Sequence, residues 1–544
     1  MHLVGVAMKY RWKPGNGAIA ILLACLTTII LTTTAPAIGL TTDEPTYIVA
    51  SNSYARCIWM LAKDPVRALK PSTIETYWTF NHEHPPVEKI WSGLVWLAAR
   101  HVFTEPTASR IGPILLAAFL VALLYLMIAG TYGMAAGLFA VAALMSMPRF
   151  FFHAHLAALD VPVAVGSFVI TFIFWKTVDR NGWAWGLLWG VVWGLVVAGK
   201  LNGVFILIAL VAWSLIFRRK WSVVLRLLLM GFVAVPTFFL VWPWLYYQTW
   251  TRVMNYVNFH LHHSAIGQWY LGEFYMPPPW HYVFVILWAV VPLTVMALFL
   301  AGMARAGKGK RDKGLAWLLI LSVFASISPF ILGKSLLYND ERLFMPVFPF
   351  LAALAGIGFG WLVTGLRKLA ERVKRPALVA PVAVILGIAL LIPQAVTMAG
   401  LYPHLLSYYS EGVGGLPGAT KLGLETTYWC DTCASALPYI NAHAQPGDVV
   451  WSEDSGMLHY SQAIGQLRQD VLILNKDPTP SVPGQSGNKI LEKVDWYIFT
   501  YRQTQYGAGG EKGYLLLQIL ETQTPVYELS YQGVPLMKLY STLK

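Results

Sequence analysis

The chain has 544 residues, 56% of them hydrophobic and only 12% charged. Soluble domains carry about 25% charged residues, so a soluble globular protein is excluded, and long apolar runs indicate a polytopic α-helical membrane protein. The formal net charge of +13 does not point to nucleic acid, because the basic residues fall in short blocks between apolar segments and no basic-aromatic binding module accompanies them.

The first apolar stretch, Ala18 to Leu40, follows Lys9, Arg11 and Lys13 and ends near Ala35-Pro36-Ala37. The apolar region of a signal peptide runs to about 7–15 residues. This longer stretch is therefore expected to remain as an uncleaved first span with a cytoplasmic N-terminus. TTDEPTY follows at once. The segment from Thr41 to Lys89 is expected to be a polar loop, and it concentrates charge: Asp43, Glu44, His82, Glu83, His84, Glu88 and Lys89. HEHPPVEK closes it, with Pro85 and Pro86 stiffening the backbone. As a helix, Ile90 to Phe103 would cover about 21 Å, short of the roughly 30 Å hydrocarbon core. Its polar face of Lys89, Ser92 and Arg100 predicts a helix lying in the membrane interface.

Further apolar segments lie near 110–129, 134–147, 161–175, 183–199, 203–217, 222–247, 281–303, 314–333, 344–364 and 378–400. With the first they make about 11 transmembrane helices; segment 134–147 is short enough to be the half-crossing one in place of 90–103. The basic blocks Arg218-Arg219-Lys220, Arg305 to Lys313 and Arg367 to Arg375 mark the cytoplasmic side. The opposite face then gathers loop 41–109, the Arg149–Asp160 turn, the Lys200-Leu201-Asn202 turn, loop 248–280 and the Lys334–Arg342 turn. A charge facing lipid at a helix centre costs about 2.5–3.5 kcal/mol, so these groups are expected to line one polar cavity at the outer face.

After Gly400 the apolar runs shorten. GDVVWSED, DVLILN, VDWYIFTY and VPLMKLY read as strands bounded by turn residues, and Cys433–Ala444 reads as helix. The expected division is a transmembrane domain over 1–400 and a small extracytoplasmic α/β domain over 401–544. Four cysteines are too few for a disulfide framework. Cys430 and Cys433 form a CxxC that is either two unrelated small residues or a local disulfide outside the cytoplasm; alone it lacks the ligands for zinc.

Asp43 is the first charge after span one. A carboxylate in a partly dry cavity can act as a general base, and Glu44 stands beside it; the competing reading is a solvated helix end. Lys89, Lys200, Lys334 and Arg342 suit a phosphate, each with membrane anchoring as its alternative. His82, Glu83, His84 and Asp160 are expected in the substrate pocket, although Asp160 could simply cap a helix. His260, His262 and His263, completed by Glu83 or His84, are a candidate site for a divalent metal cofactor, weighed against ordinary solvated histidines.

TTDEPTY after the first span and HPPVEK before the short helix resemble the dolichyl-phosphate-mannose protein mannosyltransferases, glycosyltransferase family 39. Their motif is HPPxGK, and Glu88 stands at its glycine. The layout is also similar to the bacterial lipid A aminoarabinose transferases. AHLAALDVP resembles their turn before a middle span, and ERLFMPVFP their Arg-containing late span. LLSYYSEGVGGLPGATKLGLETTYWCD resembles a stretch of bacterial members, with Cys430 where glycine is expected. The resemblance covers most of residues 18–430. It implies the GT-C fold and inverting transfer of a sugar from a polyprenyl-phosphate donor to an acceptor hydroxyl on lipid, glycan or protein. It would make Asp43 the base and Glu44 the second acid, with Lys89, or a helper among Lys200, Lys334 and Arg342, stabilising the phosphate leaving group. Loop 248–280 is too short for the β-trefoil insertion of eukaryotic protein mannosyltransferases. The rival is a transporter or an inactive scaffold of the same fold. A transporter usually shows internal symmetry and polar residues at the midplane, and neither is visible here. The expected location is the plasma (inner) membrane, with the C-terminal domain outside.

Overall fold

The computed structural model describes residues 15–262, 266–306, 314–332, 337–475, 494–506 and 521–541. Each apolar segment expected from the sequence coincides with helix over most of its described length. Six helices are long and apolar enough to cross a membrane, or seven if the pair Tyr282–Val290 and Leu293–Ala304, bent by 119°, is one span. Met134–Met145, Ala184–Val197, Leu201–Phe217 and Leu315–Ile331 are apolar but shorter. Pro292 stands at the bend of the broken pair, where its ring and missing N–H interrupt a helix. Ile21, Leu228, Phe232 and Val384 stay exposed, an apolar coat suited to lipid.

Glycine permits a close helix crossing. A Cβ on Gly302 would lie 2.0 Å from the Leu354 carbonyl oxygen, and one on Gly358 would lie 2.1 Å from that of Leu298. The helices Leu293–Ala304 and Val347–Arg372 therefore meet backbone to backbone, as small residues allow between membrane helices.

Residues 41–89 depart from the expected loop. Glu44–Lys63 is a 20-residue helix with Tyr47, Ile48, Ser51, Tyr54 and Ala55 buried. Their spacing is that of one apolar helical face. Val87–Ala99 also departs from expectation, because Lys89 and Ser92 face inward rather than toward an interface. The cause is packing: a Cβ on Gly93 would sit 2.0 Å from the Ser51 carbonyl oxygen, so this helix lies tight against Glu44–Lys63 and its polar face finds partners in protein.

In the region 248–280, β1 (Gln268–Tyr270) and β2 (Glu273–Tyr275) form an antiparallel hairpin. The C-terminal strands are β3 (Val449–Ser452), β4 (Leu472–Ile473), β5 (Trp496–Thr500), β6 (Tyr527–Tyr531) and β7 (Val534–Ser541). The sheet order is β4-β3-β5-β7-β6. β3 runs parallel to β4 and β5, and β7 antiparallel to β5 and β6. All but the edge strand β6 fall on the predicted runs. Tyr408, Tyr409, Leu416 and Trp429 share one buried cluster with the helical bundle. The sheet's own core, with Val450, Met457 and Ile498, takes in Leu40, Ile48 and Ala157 from the bundle's end. The chain after residue 400 is thus packed firmly onto the helices.

Candidate active site

Asp43, Asp160, Lys200 and Arg342 converge at one end of the bundle. Asp43 precedes the helix Glu44–Lys63, and Asp160 opens Asp160–Thr177. Lys200 and Arg342 stand where short 3-10 turns enter the next helices. Asn339 and Asp340, both at positive φ, form the turn that delivers Arg342; Asn and Asp tolerate this conformation better than most residues. Arg342 Nη2 donates to Asp43 Oδ2 at 2.5 Å and Nε to Asp160 Oδ2 at 3.1 Å. Lys200 Nζ donates to Asp160 Oδ1. Asp43 is the open member, with 35% of its side chain exposed against 1% for Asp160. Burial pulls the Lys200 ammonium below the ordinary lysine range, against the attraction of Asp160. Burial also opposes the charge on Arg342, but Asp43 and Asp160 outweigh it and hold the guanidinium firmly protonated.

Glu44 sits apart from this chain of charges. Arg110 grips it twice at 2.7 Å, the Ala157 N–H donates to it at 3.0 Å, and both side chains of the pair are fully buried. Arg110 also donates to the carbonyls of Ala35, Ile38 and Gly39. Glu44 therefore ties the Asp43 turn to the turn that precedes Asp160. Its geometry is that of a brace, and it offers no open carboxylate oxygen to an acceptor. Lys89, expected at the membrane surface, is buried. Its ammonium donates to Asn81 O at 2.6 Å, Asn81 Oδ1 at 3.0 Å and His84 O at 2.8 Å. That uses all three donors on the proline loop and leaves none for a phosphate. Burial lowers Lys89 to about 7 and raises Glu88 to about 7.

The other expected pocket residues divide. His84 lies near the centre, its ring 6.1 Å from Tyr47, and Tyr47 Oη is 3.4 Å from Arg342. Burial, then Lys89 and Lys200, keep its imidazole neutral. His82 Nδ1 lies 2.7 Å from Thr79 O, and Glu83 accepts from Asn81 at 2.9 Å, so both serve the loop. Among the described residues the expected metal site is not assembled. His260 and His262 are two apart at a helix end, a spacing that turns them to different faces, while His263 and Lys334 lie outside the described residues. Among the described residues, only Cys430, Cys433 and Glu453 bring three ligand atoms within metal-holding reach. The two cysteines are joined in a disulfide, which offers no thiolate to a metal.

Two groups escaped the sequence reading, and a third, Arg149, was read only as the start of an outer turn. Arg110 was hidden in an apolar run, although a charge there is itself a signal. Arg149 pairs with Asp340 at 2.8 Å and Glu341 at 2.6 Å, beneath the turn that carries Arg342. Trp429 lies with its ring 4.0 Å from the Arg342 guanidinium. A cavity of about 340 Å³ lined by Gly39, Leu40, His404, Asp431 and Ser435, among others, includes none of the four central charges.

Residues 84–247 match the family model for dolichyl-phosphate-mannose-protein mannosyltransferase, the family that the motifs resemble. No curated protein matches the chain significantly. Among solved structures, ArnT from Cupriavidus metallidurans bound to undecaprenyl phosphate is similar at 16% identity and a TM-score of 0.48, covering 96% of this chain and 98% of that one. The same protein in the apo state gives a TM-score of 0.49 at 16% identity with the same coverage. An Archaeoglobus fulgidus oligosaccharyltransferase in complex with Zn and sulfate is 12% identical with a TM-score of 0.47, covering 96% of this chain and 72% of that one.

Proposed function

We propose that the chain is an integral-membrane glycosyltransferase that moves a sugar from a polyprenyl-phosphate donor to an acceptor hydroxyl at the outer face of the membrane. The observation that carries this reading is the Asp43–Arg342–Asp160–Lys200 chain, in which one half-exposed carboxylate stands beside two buried cations. In this reading Asp43 takes the proton of the acceptor hydroxyl as its oxygen attacks the anomeric carbon. The carbon–oxygen bond to phosphate breaks, and the polyprenyl phosphate leaves as an anion. Arg342 and Lys200 neutralise that anion, and Asp160 orients both. A single displacement inverts the anomeric centre. Glu44 and Lys89 act as braces for the two turns, and His84 lines the pocket. The acceptor is a hydroxyl of lipid, glycan or protein.

Purified protein given radiolabelled polyprenyl-phosphate sugars and envelope extracts should form a labelled product. Absence of transfer from every donor would overturn the assignment. A transporter, by contrast, would move label across a vesicle without making a new glycosidic bond.

A further inference from the structure

We propose that Trp429, locked in place by the Cys430–Cys433 disulfide, is the positioning residue for Arg342. The proposal rests on the transferase reading for its consequence and on the following geometry for its substance. Trp429 is 1% exposed. Its ring lies 4.0 Å from the guanidinium carbon of Arg342, and its carbonyl oxygen accepts from Thr42 N at 3.0 Å. One residue therefore touches both halves of the centre: the cation through its ring and the Asp43 turn through its main chain. A cation over an indole face is attracted by the ring quadrupole, most strongly where water is excluded.

Trp429 cannot hold this place by local preference. It has φ 65°, and Cys430 follows at φ 57°. Two successive residues with a Cβ adopt this left-handed region only where their surroundings dictate it. At position 430 a glycine would take such a φ freely. Here a disulfide to Cys433 replaces that freedom. Ser452 Oγ, at the end of β3, lies 3.7 Å from both sulfurs. On the other side a Cβ on Gly39 would sit 2.4 Å from Asp431 O, so the loop is pressed against the chain that leads to Asp43. The line runs from the sheet through the disulfide to Trp429, and from there to Arg342 and Thr42.

The test uses full-length protein in detergent, with undecaprenyl phosphate as the binding probe. Trp429→Ala and the double variant Cys430→Ser/Cys433→Ser should each bind the probe about tenfold more weakly. Trp429→Phe should recover part of the affinity. Cys430→Gly/Cys433→Ser should recover most of it, because glycine restores the backbone without the disulfide; a merely structural cross-link would not be replaced in this way. Binding in parallel, phenylglyoxal modification of Arg342, read by mass spectrometry, should rise severalfold in Trp429→Ala. Equal labelling of Arg342 in wild type and Trp429→Ala overturns the positioning role whatever the donor is. Wild type that fails to bind undecaprenyl phosphate counts against the transferase reading instead, and the labelling arm still decides the role of Trp429.

Discussion

Asp43 keeps 35% of its side chain exposed, whereas Glu44, one residue on, has none. Two neighbouring carboxylates in such different settings should fail differently. Asp43→Asn preserves shape and should lower transfer by about 100-fold or more, the usual span for a general base, with a thermal midpoint near that of wild type. Glu44→Gln leaves the Arg110 charge buried without its counter-ion. Breaking such a pair costs about 3–5 kcal/mol, so this variant should show a lower midpoint and poor yield. Thermal-shift and radiolabel assays on both variants check this; equal midpoints for Glu44→Gln and wild type would remove the brace. Lys89→Ala strands three acceptors on Asn81 and His84 and should likewise lower stability, a result unlike the simple loss of phosphate affinity that a surface lysine would give.

At the scale of elements, the crossing of Leu293–Ala304 with Val347–Arg372 has no room for a side chain at Gly302 or Gly358. Gly358→Leu must push the helices apart; overpacking costs about 1–3 kcal/mol or more, and the midpoint in detergent should fall. Gly365→Ala, on the same helix with nothing within 4 Å of its Cβ, is the control and should hold or slightly raise the midpoint. The apolar helices were readable because each is written in its own composition, although only six or seven of the described helices are long and apolar enough to cross a membrane, against the 11 expected. The helix Glu44–Lys63 was readable too, in the spacing of Tyr47, Ile48, Ser51, Tyr54 and Ala55, but charged and polar residues mixed into it made it pass for loop. The inward turn of Lys89 was not readable, since it depends on where the Asn81–His84 backbone presents its carbonyls. Nor was the Glu44–Arg110 pair, whose partners are 66 residues apart. Asp43 and Arg342 were both named from the motifs, yet their contact spans 299 residues, and no local pattern announces it.

Across the whole molecule, the join between the helical bundle and the C-terminal sheet region is expected to carry a pH dependence. Burial pushes the Asp431 carboxyl from 3.8 up to about 7. The native state thus keeps a proton that the unfolded chain releases. The stability due to the neutral carboxyl is full below its unfolded pKa and is lost as pH rises through its folded one. Asp431→Asn stays neutral throughout, so its midpoint should gain on wild type between about pH 4 and about pH 7 and then level off. His404 Nδ1 stands 3.9 Å from Asp431 and burial lowers its imidazole to about 4, so it is neutral in the folded state over the window in which Asp431 titrates. A gap that stays flat with pH would mean that Asp431 ionises as an ordinary surface acid does. Sidedness has its own check: Gln532→Cys, exposed in the turn between β6 and β7, should react with an impermeant thiol reagent before lysis in cells whose outer barrier has been opened. Protection there would place the C-terminal domain and the four-charge centre on the cytoplasmic side. The centre also imposes an order on biosynthesis. A ribosome delivers Asp43 first, then Asp160 and Lys200, much later Arg342, and last Trp429. Until that final stretch has been made and folded, Arg342 and Thr42 lack the ring and the carbonyl that Trp429 brings to them. Under the proposed function, a chain released before Trp429 is made lacks the seat for Arg342 and is expected to be inert.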